Sequence, residues 1–87
     1  MVVERFRNGD ADAVRARFKK DGRLMPEGLI YLSSWIDHKG EVCYQLMESA
    51  DPELFALWTS KWSDLVDFEI TPVMAAADFW TQREGGK

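Results

Sequence analysis

Residues 51–66 read DPELFALWTSKWSDLV, and the reading of this stretch decides the fold. Laid on a helix, Leu54, Trp58, Trp62 and Leu65 fall on one stripe, widened by Phe55 and Val66. Glu53, Thr59, Ser60, Ser63 and Asp64 fall opposite. Asp51 suits the N-cap, and Pro52 suits the first helical position, where its missing N–H costs nothing. The spacing predicts a single helix across the stretch. Two Trp, one Phe and three aliphatics on one face require a large apolar partner, and the flanking chain reads as strands able to supply it.

Upstream, residues 41–48 (EVCYQLME) form a strand in which Val42, Tyr44 and Leu46 alternate with Cys43, Gln45 and Met47. The preceding Asp37-His38-Lys39-Gly40 has hairpin-turn chemistry. Residues 29–37 (LIYLSSWID) form another strand, with Ile30, Leu32 and Ile36 on one face and Leu29, Tyr31 and Trp35 on the other. Neither strand has a clean polar face, so both are buried on both sides. Residues 23–28 are a loop around Pro26 and Gly28. Residues 11–21 form a helix with a narrow stripe of Ala11, Val14 and Phe18, capped by Asp10 and closed by Gly22. Residues 1–6 (MVVERF) are a first strand. Downstream, residues 67–73 (DFEITPV) are a last strand, with Pro72 marking an edge or the end. Residues 74–83 form a short helix or an arm carrying Phe79 and Trp80, and residues 84–87 a disordered tail.

The order strand–helix–strand–strand–helix–strand is the split βαβ unit. It predicts an α+β, ferredoxin-like βαββαβ domain over residues 1–83, with an antiparallel sheet in the order 4-1-3-2 and both helices on one face. The second and third strands have no polar face to leave open, so the open face packs against a second copy. The expected assembly is a homodimer.

Composition supports one domain. A chain of 87 residues buries only about 60% of its unfolded surface, which makes a rich core or association necessary. The residues are 46% hydrophobic and 13% aromatic, with four Trp. The net charge of −4 argues against nucleic acid, which a basic patch would bind. One Cys excludes an internal disulfide and a Cys-based metal cluster. No apolar run approaches a membrane span and no signal peptide is visible, so a soluble, cytoplasmic protein is expected.

ERFRNGD at residues 4–10, GRLMPEGLIYLSSW at 22–35, CYQLME at 43–48 and WTSKWSDLVDFEITPV at 58–73 resemble a bacterial family of small domains of unknown function. That family is placed in the dimeric α+β barrel superfamily, whose members pair two ferredoxin-like sheets. The resemblance implies a dimer but no single activity, because the superfamily includes cofactor-independent monooxygenases, haem-degrading enzymes, lactone isomerases and ligand-binding domains. Its haem-degrading members use a helix-borne His, whereas His38 here sits in a turn.

Two constellations bear on chemistry. Each strand carries a polar residue near its middle: Glu69, Glu4, Gln45 and Ser34. A two-residue turn at His38-Lys39 or Lys39-Gly40 puts Ser34 and Gln45 on one face, whereas a three-residue turn would flip the register and split the row. If Glu4 and Glu69 join them, two neighbouring buried carboxylates form a general acid or base site; otherwise they face solvent or pair with Arg5 or Arg7. These two Glu are the catalytic candidates. Trp58 and Trp62, with Trp35, Tyr31, Tyr44 and Gln45, are candidates to wall a pocket for a flat apolar ligand, or else are plain core. Lys61 edges the apolar stripe, and Cys43 reads as a buried thiol. No metal or cofactor motif occurs. Three functions remain: a dimeric binder of a small apolar or aromatic molecule, a cofactor-independent monooxygenase or isomerase with a carboxylate base, and a protein-interaction module.

Overall fold

The computed structural model describes residues 1–85. Four strands, β1 (Val2–Phe6), β2 (Ile30–Ile36), β3 (Val42–Glu48) and β4 (Val66–Ile70), form one antiparallel sheet in the order β2-β3-β1-β4. Helices α1 (Ala11–Asp21) and α2 (Glu53–Thr59) make the two crossovers, and α3 (Ala76–Gly85) follows the sheet. This is the predicted α+β fold with the predicted strand order.

Local chemistry accounts for the boundaries. Asp10 Oδ1 accepts from the Ala13 N–H at 3.0 Å and so caps α1. Gly22, at φ 70°, ends α1 by donating to the Phe18 carbonyl at 2.8 Å. In the β2–β3 turn, Asp37 Oδ1 accepts from the N–H groups of Glu41 (2.9 Å) and Val42 (3.0 Å). These bonds hold its carboxyl below the usual range.

Three expectations are corrected. The 51–66 stretch is not one helix. Asp51 does cap it, accepting from the Glu53 N–H at 3.0 Å, but α2 stops at Thr59 and residues 60–65 continue as turns. The hydroxyls of Thr59 and Ser60 bond back to the Ala56 and Leu57 carbonyls. The backbone meanwhile tightens to Lys61 N–H on the Trp58 carbonyl and Trp62 N–H on that of Thr59. Val66 consequently opens β4 instead of closing a helix. Second, β2 does not alternate regularly. Tyr31 pairs with Met47 and Ser33 with Leu46, leaving Leu32 unpaired in a bulge. Third, Glu84 and Gly85, expected in a disordered tail, complete α3; the remainder of that tail lies outside the described residues.

The core lies between the sheet and the α1–α2 layer, centred on Val2, Leu29, Met47, Trp58, Trp62 and Val66. Val14 and Phe18 from α1 and Leu54 and Phe55 from α2 pack against it. Trp58 meets Phe68 edge-on at 5.3 Å. Gly28, at φ 94°, passes so close to Leu54 that a Cβ would stand 3.0 Å from Cδ1. On the opposite face, Trp35 and Tyr44 are exposed beside Val3, Val42 and Leu46. Every residue from 71 to 84 is exposed, including Phe79 and Trp80 of α3. Among the described residues no helix is long and apolar enough to cross a membrane.

Candidate functional site

The register determines which polar groups meet. Glu4 pairs with Cys43 on one side and Phe68 on the other, and Ser34 pairs with Gln45. Glu4, Cys43, Gln45 and Ser34 therefore face the helices together. Glu69 pairs with Val3, one position away from Glu4, and so lies on the opposite face. There it is exposed, 3.6 Å from Arg5. The two-carboxylate row is thus reduced to a single acid, Glu4, with Gln45 and Ser34.

These side chains open into a cavity of about 440 Å³ between the sheet and α1, within the range of small-molecule sites. Its apolar walls include Phe6, Val14, Phe18, Trp58, Trp62 and Phe68. Glu4 is buried, only 9% exposed. Burial pushes its carboxyl up to about 7, offset in part by the positive charge of Arg23. Gln45 is also buried and donates to Met47 Sδ at 3.0 Å. Cys43 is pushed up to about 11, first by burial and then by the neighbouring Glu4 charge. It is therefore a protonated thiol at neutral pH and no nucleophile.

Of the other candidate residues, Trp58 and Trp62 are buried and belong to the wall. Trp35 and Tyr44, expected beside them, face away from the cavity. Tyr31 takes the helix-facing side because of the Leu32 bulge: without it, residues three apart in a strand would oppose. Its hydroxyl lies 2.7 Å from Ser34 Oγ, and its ring supports the guanidinium of Arg23 at 3.7 Å from the centroid. Lys61 and His38 are exposed and apart from the site.

Arg23 is the residue that sequence reasoning missed, having left it in the loop of residues 23–28. Its carbonyl accepts both indole N–H groups, from Trp58 at 3.0 Å and Trp62 at 2.9 Å. Its side chain enters the cavity, also passing 5.1 Å from the Phe18 ring centroid. The next residue, Leu24, sits at φ 57°, a conformation costing about 1–2 kcal/mol outside glycine. The two indole bonds hold the loop there. The one available sequence signal was that two buried indoles need acceptors.

Among the described residues, no group of three or more His, Cys, Asp or Glu side chains is arranged to hold a metal ion. Comparison with curated proteins finds no match, and comparison with solved structures finds none either. A family model does match, over residues 1–83, and its description is a domain of unknown function, DUF3303. With nearly the whole length matched, this chain belongs to the DUF3303 family.

Proposed function

We infer that this domain binds a small, apolar or aromatic molecule in the cavity between its sheet and α1, and that it works as a homodimer. The observation that carries the reading is the cavity itself. It has apolar walls of Trp58, Trp62 and Phe68, with the polar groups of Glu4, Gln45 and Ser34 converging from the sheet floor. Apolar volume confers affinity and a few placed polar groups confer orientation. The dimer reading rests on exposed Trp35 and Tyr44, which leave an apolar centre on the other sheet face, rimmed by the Arg5–Glu69 pair. Placement in the dimeric α+β barrel superfamily and action in a bacterial cytoplasm are part of the same proposal.

A second reading is favoured by Glu4. A carboxyl titrating at about 7 inside a cavity is matched to general base work near neutral pH. In a cofactor-independent oxygenase or isomerase it would take a proton from carbon beside a carbonyl, with the Gln45 amide within the same wall.

Native mass spectrometry of freshly purified protein tests both parts of the main reading. The expected result is a dimer carrying an added mass that is lost on denaturation. A monomer without added mass, whose tryptophan emission stays unchanged across a panel of aromatic compounds, overturns it.

A further inference from the structure

We propose that Arg23 is the anion-recognition group of the cavity and that its ligand is a small organic acid, one carboxylate on a flat apolar body. The proposal rests on the ligand-binding reading above and supplies its substrate class.

Arg23 differs from Arg5, Arg7 and Arg17 in having no acidic partner among the described residues, and from Arg15, which also lines the cavity over Phe18, in being half-buried where Arg15 is exposed at the rim. Arg17 is committed to Asp64 through two bonds of 2.6 Å, Arg7 pairs with Asp67 at 3.0 Å, and Arg5 stands with Glu69 on the far face. Among the described residues, no carboxylate lies within 4.0 Å of the Arg23 guanidinium. It is nonetheless held firmly, against Tyr31 and Phe18, while the indoles of Trp58 and Trp62 hold its carbonyl. A planar fork fixed on an aromatic face loses little freedom when it engages a carboxylate through two parallel bonds. The Phe18 ring and the Trp walls favour a flat body beside it.

The surrounding charges limit the anion to one unit. From β1 the cavity receives Glu4, from β3 Cys43, and from α1 Asp12 and Arg15, both exposed at its rim. Beside β2, Tyr31 carries the guanidinium, while β4 contributes only the apolar Val66 and Phe68. A dianion such as a phosphate ester would meet one half-buried cation and a nearby acid. A monocarboxylate is balanced by Arg23 alone, and Glu4 below its titration point near 7 is a neutral hydrogen-bond donor to it. Binding of the anion therefore weakens as pH rises through that point.

The test uses 2-naphthoate and its uncharged isostere 2-naphthamide as probes, titrated into the full chain at pH 6 and followed by tryptophan emission and calorimetry. The expected result is that the acid binds about tenfold or more tighter than the amide, the range of one charge-assisted contact. Arg23→Met should abolish that preference, and Arg23→Lys should restore part of it. Both variants keep the backbone carbonyl that the indoles need, and near-UV circular dichroism verifies their fold. Raising the pH to 8 should weaken the acid in the parent but not in Glu4→Gln. Equal affinity for both probes, or an undiminished acid preference in Arg23→Met, overturns this inference and leaves the cavity reading standing. Failure of both probes to bind overturns the cavity reading with it.

Discussion

Glu4 is a carboxyl placed where charge is expensive, which ties its ionisation to folding. In the folded chain it titrates at about 7, against an ordinary 4.5. As pH rises, the unfolded chain gives up this proton first. The contribution of the neutral buried acid is complete below about 4.5, falls between the two values and is gone above about 7. The difference corresponds to about 3 kcal/mol. Urea denaturation at pH 4.5 and pH 8 should show the parent losing stability of that order across the interval, and Glu4→Gln losing markedly less. Equal losses in both proteins would mean that Glu4 is solvated. Alternation in MVVERF and EVCYQLME made Glu4 and Gln45 legible as a possible shared face. Arg23 was not legible, because loop side chains follow no period and their destinations are set by distant partners, here two indoles.

At the scale of elements, the bulge in β2 has the largest consequence. By moving the register one residue at Leu32, it brings Tyr31 and Ser34 to the same face and gives Arg23 an aromatic support. Deleting Leu32 would leave Tyr31 and Ser34 two apart and still on one face, so the contacts are tested by Tyr31→Ala, which removes a side-chain hydrogen bond and a cation–π contact. The expected cost is about 1–3 kcal/mol in chemical denaturation. An unchanged midpoint would show that neither contact contributes to stability. Alternation alone could not reveal it: LIYLSSWID is apolar on both faces, so either assignment of Tyr31 satisfies the pattern. The α1 boundaries were readable because Asp10 and Gly22 act locally. The end of α2 was obscured because Trp62 keeps its place on the stripe through tight turns after the helix has stopped.

The whole molecule extends 51 × 30 × 17 Å, with a radius of gyration of 15.1 Å, where a compact chain of this length would have about 12 Å. The excess reflects the exposed segment around α3. Topology was the most legible level, since the order of strand and helix periods left few right-handed, unknotted arrangements. The outer sheet face is the surface proposed above for association with a second copy. Trp35→Asp places a charge at the apolar centre of that face without touching the cavity. In light scattering coupled to size exclusion it should convert the proposed dimer to monomer while tryptophan-wall binding of naphthamide persists. A dimer that withstands this substitution would place the interface elsewhere, for instance on α3.

The carbonyl of Arg23, shared by Trp58 and Trp62, also affects how the chain tolerates change. Connecting segments ordinarily absorb insertions because little depends on their path. Here a single oxygen acts as a rivet between a surface connection and the innermost aromatics, with Leu24 twisted to keep it in position. Lengthening this connection by even one residue would strand two indole donors and swing the cavity's cation aside together. The tip of the hairpin at residues 38–40, fastened through Asp37, has more freedom to vary. Tolerance of insertions in this small domain should therefore follow the hydrogen bonding of the backbone, and a segment that looks like a spacer is the least replaceable part of the cavity wall.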